Sequence, residues 1–207
     1  MLQSETVPMS EDTYKTIVAP SEGIYTEKRS KFIAMAFPVR TVDEIKVHLE
    51  ACQKKYYDAR HVCYAYMLGP QRKDFRANDN GEPSGTAGKP ILGQINSNEL
   101  TDILIVVVRY FGGIKLGTSG LIQAYKAAAA EAIAAAEFVE RTVDDVVSFL
   151  FEYPFMNDVM RVVKEMNPEI VQQAYDMDCS MTLRIRRSLM PALKARLEKV
   201  ETLRYPE

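Results

Sequence analysis

Three stretches of this chain contain residue types that can hold a phosphate group or move a proton. In the first, Arg60 and His61 precede an apolar run, and in the second, Asp79 and Glu82 lie in a loop rich in glycine and proline. In the third, Arg109 ends a long apolar run. Histidine titrates near neutral pH and can act as a general base, whereas arginine is a permanent cation that binds phosphate with two hydrogen bonds. If the three stretches converge in one cleft, both binding and acid–base chemistry become available there.

The loop after Arg109 carries the strongest local signal for an anion site. Residues 103–108 are all apolar and mostly β-branched, which predicts a strand buried on both faces. Glycines follow, and then an Ala-rich helix is predicted from Thr118 to Glu137, with Thr118 or Ser119 as its cap. Free N–H groups at such a helix start attract anions. The predicted ligand-binding residues are Arg60, Arg109, Gly112, Gly113, Gly117, Thr118, Ser119 and Gly120.

Each of these signals also has a purely structural interpretation. The glycine loop could be a tight strand-to-helix turn in which Arg109 bonds a carboxylate or carbonyl groups. Asp79 and Glu82 could hold Mg²⁺ against a phosphate, or they could cap the next helix and pair with Arg60 or Arg109. His61 could be a general base, or it could fix a loop by hydrogen bonds. The candidate catalytic residues are therefore His61, Asp79 and Glu82, but no nucleophile with an adjacent base is evident, and we expect neither a metal nor a cofactor.

Composition limits the classes of function. The chain has 207 residues, with 26 Lys+Arg against 28 Asp+Glu and a net charge of −2. This balance excludes a globally basic nucleic-acid-binding protein, so any RNA contact needs a local basic patch. The apolar runs are too short to span a bilayer, the first residues show no secretory signal, and the three cysteines are widely spaced. We therefore expect a cytoplasmic protein with reduced thiols and no membrane contact.

The elements that must position these residues divide the chain. We predict a polar leader at residues 1–13 and domains at 14–140 and 141–207. Thr41 and Glu44 have the spacing of a helix capping box. After residue 141 the order strand, helix, strand, strand, helix, strand is that of a ferredoxin-like domain. Arg184 and Arg186 lie on one face of its third strand, which indicates either a secondary nucleic-acid surface or an ordinary solvated sheet face.

Three motifs resemble one known family. DARHVCYAY at 58–66, DNGEPSGTAGKPIL at 79–92 and VVVRYFGGIKLGTSGLIQAY at 106–125 closely resemble the IMPACT, or YigZ-like, family. The similarity extends over about 23–137. It implies an α+β protein, with an N-terminal domain of the ribosomal-protein-like left-handed βαβ fold and a C-terminal ferredoxin-like domain. Family members often carry two aspartates before the loop glycine, whereas this chain has Asp79-Asn80.

The resemblance also implies a function. It suggests an RNA- or ribosome-associated regulator of translation, which would bind a phosphate backbone along Arg109 and the glycine loop. One alternative is an enzyme acting on a small phosphorylated or nucleotide substrate through His61 with Asp79 or Glu82. The other is a protein-partner module whose cleft holds no ligand. Because a shared fold does not establish a shared activity, the site itself must decide among these functions.

Overall fold

The structure is a computed structural model that describes residues 12–175 and 178–206. These residues form two compact units, one of which is Tyr14–Arg141. The other contains Asp12 and Thr13 together with the chain from Thr142 onward. Residues 1–11 of the predicted leader lie outside the described residues. Independent folding of the domains predicted at 14–140 and 141–207 stays a prediction.

The N-terminal unit is built on a five-stranded antiparallel sheet. Its elements are β1 Thr13–Ile17, β2 Ser21–Glu27, β3 Ser30–Pro38, α1 Val42–Lys55, β4 His61–Leu68, β5 Asp74–Asn78, α2 Gly88–Ser97, β6 Ile103–Tyr110, α3 Gly117–Ala134 and β7 Phe138–Thr142. The order in the large sheet is β2-β3-β6-β4-β5, and β1 pairs with β7 in a separate two-stranded sheet. The predicted capping box at the start of α1 is confirmed, since the Thr41 hydroxyl accepts from the Glu44 N–H and Glu44 accepts from the Arg40 N–H.

The central strand β6 is buried on both faces, as its sequence predicts. All six residues from 103 to 108 have no exposed area. Ile103, Ile105 and Val107 pack into the cluster that includes α2 and α3, whereas the alternate residues pack against α1. Alternation along a strand places these two sets on opposite faces. The strand continues through Arg109 and Tyr110 instead of ending before them, which corrects the predicted boundary.

Two helical crossovers in this sheet have opposite hands. β3 and β4 are both antiparallel to β6, so they run parallel and α1 connects them. β5 and β6 are likewise parallel on either side of β4, with α2 between them in sequence. A half-turn about the normal to the sheet brings the strands of one crossover onto the strands of the other. The two connecting helices still differ, because α1 and α2 cover opposite faces of the sheet. One of the two is therefore left-handed, a rare arrangement that agrees with the predicted left-handed βαβ unit.

The C-terminal unit has the predicted ferredoxin-like order. Its elements are β8 Asp144–Phe151, α4 Met156–Met166, β9 Glu169–Tyr175, β10 Cys179–Arg186 and α5 Met190–Leu197. The sheet order is β8-β10-β9, and Arg204 bridges Leu150 in the place of a fourth strand beside β8. Residues 142–151 contribute the end of β7 and all of β8. One face of this sheet packs on α4 and α5.

The cysteines are free and inaccessible. Cys52, Cys63 and Cys179 are all buried and unbridged. Burial raises the pKa of Cys52, and it raises the pKa of Cys63 to about 12, so neither thiol ionises readily near neutral pH. Within 12–175 and 178–206, no helix is long and apolar enough to cross a membrane.

Candidate functional site

A cleft of about 640 Å³ lies where β4 begins and β6 ends. In the sheet register His61 stands opposite Arg109, and Arg109 stands opposite Phe32. The structure thus brings together the three stretches that the sequence singled out. The predicted site residues that line the cleft are Arg60, His61, Glu82, Arg109, Gly117 and Thr118. The lining does not include Asp79, Gly112, Gly113, Ser119 or Gly120.

The floor of the cleft is a buried ion pair. Arg109 Nη1 lies 2.7 Å from Glu82 Oε1, and the two side chains are only 8% and 3% exposed. The Tyr125 hydroxyl donates to the same carboxylate oxygen at 2.8 Å. The guanidinium also stacks over the Phe32 ring, 5.6 Å from its centroid. Of the alternatives that the sequence left open, the pairing of Glu82 with Arg109 is therefore present, and Arg109 is not a free cation.

This ion pair continues into a buried polar chain. The Cys63 thiol lies 3.4 Å from the Tyr125 hydroxyl and donates to the Asp79 carbonyl at 2.9 Å. Burial and the neighbouring Cys63 raise the pKa of Tyr125, so its hydroxyl stays protonated and donates a hydrogen bond to Glu82. These bonds connect α3, β4 and the Gly-Pro loop beneath the cleft, which holds its floor in one geometry.

Asp79 organises the Gly-Pro loop instead of facing a ligand. Its Oδ2 accepts from the Gly85 N–H at 2.8 Å, and its Oδ1 accepts from the N–H groups of Ala87 and Gly88 at 3.0 and 2.8 Å. Burial alone would raise the pKa of Asp79, but these three hydrogen bonds outweigh it and lower the pKa. Asp79 thereby caps α2, whose N-cap residue Ala87 has no side chain that could do so.

The structure explains why an asparagine follows Asp79. Asn80 has φ +40°, a left-handed conformation that asparagine tolerates better than most residues. Its side-chain amide donates to the Val62 carbonyl at 3.1 Å. An aspartate at this position could not donate that bond, because an ionised carboxylate only accepts. Asn80 thus ties the loop to β4 at the edge of the cleft.

His61 both fixes the loop and faces the cleft. Its Nδ1 lies 3.0 Å from the Asn80 carbonyl oxygen. Because a carbonyl only accepts, Nδ1 carries the proton, and in the neutral ring Nε2 is left as an acceptor. The structural role that the sequence offered for His61 is therefore present. The ring nevertheless lines the cleft, so it remains a candidate for contact with a ligand.

The glycine loop depends on close backbone approach. A side-chain carbon at Gly112 would lie 2.0 Å from the Arg29 carbonyl carbon, which no substitution there could avoid without moving backbone. Gly117 has φ +73° and begins α3, and the N-cap residue Leu116 makes no capping bond. The prediction that Thr118 or Ser119 caps this helix is wrong: the left-handed glycine turns the chain into the helix one residue earlier, which places both in the first turn.

Two exposed cations, Arg60 and Lys115, lie at the mouth of the cleft, and the sequence analysis identified only the first. Arg60 was a candidate, whereas Lys115 was overlooked although it lies inside the glycine loop. Both line the cleft, and within the described residues neither makes an ion pair. Asp58 also lines the cleft, but it accepts from the Tyr110 hydroxyl at 2.7 Å, a bond that raises the pKa of Tyr110 to about 12. The Tyr110 hydroxyl does not cancel the charge of Asp58, but the two cations outnumber this one carboxylate, so the net charge at the mouth is positive.

Arg184 and Arg186 lie in the C-terminal unit, and both are paired. Arg184 Nη1 is 3.0 Å from Glu169 Oε2. Arg186 binds the Asp12 carboxylate through two nitrogens, at 2.6 and 3.0 Å. The predicted secondary nucleic-acid surface therefore presents arginines whose charge is already offset. Among the described residues, no cluster of three His, Cys, Asp or Glu side chains could hold a metal ion.

Comparisons with known proteins identify the family to which the chain belongs. The Impact N-terminal domain matches residues 28–133, which contain every strand and loop of the cleft. The chain belongs to the IMPACT family. It is 35% identical over 153 residues to IMPACT family member YvyE of Bacillus subtilis, which covers 74% of this chain and 70% of the relative. It is 41% identical over 109 residues to IMPACT family member YigZ of Escherichia coli, which covers 52% of this chain and 53% of that relative.

A solved structure extends the family likeness to the whole fold. The crystal structure of a hypothetical protein has a TM-score of 0.74 to this chain at 27% identity, covering 95% of this chain and 98% of the other. The family predicted from the three motifs is thus confirmed, as is the α+β fold that it implied. This likeness includes the ferredoxin-like unit, which the family match at 28–133 does not reach.

Proposed function

We propose that this IMPACT family chain is a regulator of translation that binds the phosphate backbone of RNA in the cleft. The observation that carries the proposal is the pair of exposed cations, Arg60 and Lys115, which line the cleft without an ion pair among the described residues. A cation held at a surface without a counter-ion is available to a phosphate, and RNA presents phosphates in a row. The link to translation comes from the family, and the link to phosphate comes from the site.

Each group in the cleft has a distinct part in this proposal. Arg60 and Lys115 bind neighbouring phosphates, and the uncapped N–H groups of Gly117 and Thr118 donate hydrogen bonds to a third anionic oxygen at the helix start. Arg109 does not bind the backbone directly, because Glu82 already takes its charge. It instead holds the floor against which the RNA packs, so it is a positioning residue.

Binding of RNA to two double variants tests this proposal. In Arg60→Ala/Lys115→Ala, affinity for a short labelled RNA should fall about tenfold or more at low salt, and the dependence of affinity on salt should weaken. The matched control is Arg40→Ala/Lys73→Ala, which removes the same two residue types from a groove at the opposite end of the sheet. Fluorescence anisotropy at roughly 50 to 200 mM salt measures both. Equal losses in the two variants, or no binding by the wild type, would reject the site.

A second candidate function is an enzyme on a small phosphorylated substrate, and one observation favours it. The bond from His61 Nδ1 to the Asn80 carbonyl leaves Nε2 as a proton acceptor at the cleft. The other candidate catalytic residues are engaged, since Asp79 accepts three backbone N–H groups and Glu82 is bound to Arg109 and Tyr125. Turnover of a nucleotide and phosphoester panel with Mg²⁺, lost in a folded His61→Ala variant, would establish this function instead.

A further inference from the structure

Phe111 is a large, exposed apolar side chain in the cleft that Arg60 and Lys115 also line. It follows directly on β6, lines the cleft and is 58% exposed. The Arg109 guanidinium carbon lies 5.7 Å from the centre of its ring, so one side of the ring rests against the buried ion pair. The preceding residue, Tyr110, is tied to Asp58 by its hydroxyl. The backbone that carries the ring is therefore anchored while much of the ring faces solvent.

An exposed aromatic ring in the same cleft as two unpaired cations matches one kind of ligand. Nucleic-acid bases stack on aromatic side chains while neighbouring phosphates pair with Lys and Arg. A double helix hides the faces of its bases, whereas a single strand offers them. We propose that the cleft binds single-stranded RNA, with one base stacked on Phe111 and the adjacent phosphates at Arg60 and Lys115. This inference rests on the proposed function and narrows its ligand to one form of RNA.

The remaining lining of the cleft suits an unstacked nucleotide. Its volume of about 640 Å³ is in the range of pockets that hold small organic molecules. Leu116, Leu121 and Pro83 give it apolar walls next to Phe111. Its two carboxylates, Asp58 and Glu82, are both hydrogen-bonded to protein donors, so they oppose an incoming phosphate less than free carboxylates would. Apolar walls, an open ring and unpaired cations together favour a base and its phosphates over a phosphate alone.

The test compares single-stranded RNA with a blunt-ended RNA duplex that contains the same strand. Phe111→Leu keeps an apolar side chain but removes the aromatic face, and it should weaken single-strand binding about tenfold while leaving duplex binding nearly unchanged. Phe111→Tyr should restore the affinity. The control is Phe75→Leu, because Phe75 is 55% exposed in the same unit but lies on the edge strand β5, outside the cleft. A single-stranded RNA containing 2-aminopurine should lose fluorescence on binding the wild type, and this quenching should be absent in Phe111→Leu.

Failure of the stacking inference and failure of the proposed function would give different results. If Phe111→Leu binds the single strand as well as the wild type while Arg60→Ala/Lys115→Ala binds it weakly, the stacking inference is wrong and the proposed function stands. If Phe111→Leu weakens duplex and single-strand binding equally, Phe111 has no role specific to single strands and the inference is again wrong. If the wild type binds neither RNA, the proposed function itself fails.

Discussion

The two units of this chain use their arginines in opposite ways. In the C-terminal unit every arginine has a carboxylate partner, and these pairs are Arg161–Asp158, Arg184–Glu169, Arg186–Asp12, Arg187–Asp145, Arg196–Glu165 and Arg204–Asp178. In the N-terminal unit one arginine at the cleft is paired and buried, while Arg60 and Lys115 stand unpaired at its mouth among the described residues.

This difference shows that the number of cations says little about a binding surface. An exposed pair has a small net effect on stability and leaves little charge to attract an anion. An unpaired cation keeps its full charge for a partner, and a buried pair fixes the geometry around it. Strand β10 has two arginines within three residues, yet both are paired with carboxylates. The cleft, with Arg60 and Lys115 unpaired among the described residues, has more positive charge available to bind an anion. The following predictions test this contrast, beginning with the largest effect.

The buried pair should be far more important for stability than an exposed one. Replacing Arg109 with Met leaves Glu82, which is 3% exposed, without its counter-charge, and we expect a loss of about 3–5 kcal/mol in the free energy of unfolding. The matched variant Arg184→Met breaks a pair whose side chains are 41% and 62% exposed and should cost less than about 1 kcal/mol. Urea unfolding followed by circular dichroism measures both. Similar losses in the two variants would contradict the contrast.

Asp79, which accepts three backbone N–H groups, should contribute more to the free energy of unfolding than the exposed Glu165. The contribution of Asp79 should also depend on pH. Asp79→Asn keeps the size of the side chain but replaces one acceptor with a donor that faces the Gly85 N–H, so we expect a loss of about 1–2 kcal/mol at pH 7. Glu165→Gln, in an exposed pair with Arg196, should change stability by less than about 1 kcal/mol.

The pH dependence follows from the lowered pKa of Asp79. Its folded pKa lies below the unfolded value of 3.8, so its stabilisation is complete above that value and is lost as pH falls through the folded pKa. The gap between wild type and Asp79→Asn should therefore shrink in urea unfolding at acid pH. A gap of the same size at pH 7 and at the lowest pH where the protein folds would show that the ionised carboxylate is not what matters.

The smallest expected effect is on the salt dependence of RNA binding. Arg60→Ala should reduce the slope of log affinity against log salt by about 0.7, because one contact with a single-stranded phosphate is lost. Arg184→Ala should leave the slope unchanged, since Glu169 already offsets that charge. Anisotropy titrations at several salt concentrations would compare the two. A larger change for Arg184→Ala would place the RNA surface on the C-terminal sheet instead.

Local patterns predicted the framework of this fold well. The apolar run at 103–108 indicated the central strand, and Thr41 with Glu44 indicated the start of α1. Each signal is confined to a few neighbouring residues, so it can be recognised without knowing the rest of the fold. The element order after residue 141 predicted the ferredoxin-like unit for the same reason, because each element has its own periodicity.

The chemistry of the site was harder to predict because its partners are distant in sequence. Arg109 and Glu82 are 27 residues apart, and Tyr125 and Glu82 are 43 apart. The sequence allowed Glu82 to pair with Arg60 or Arg109, and only the folded loop shows that the partner is Arg109. Tyr125 was missed although it ends the most distinctive motif, since a tyrosine in a helix carries no local sign that its hydroxyl is buried against a carboxylate.

The position of β6 has a consequence for how this protein is made. It is the last of the five strands in sequence, yet it lies between β3 and β4 in the sheet. While the chain emerges from the ribosome, β3 and β4 cannot reach their native neighbour until Tyr110 has been synthesised. Until then one edge of each strand has no hydrogen-bonding partner. The apolar faces of α1 and α2 also lack the central strand against which they pack in the folded unit. The N-terminal unit should therefore fold in a single late step, and nascent chains that stop before residue 103 should be the ones that most need a chaperone.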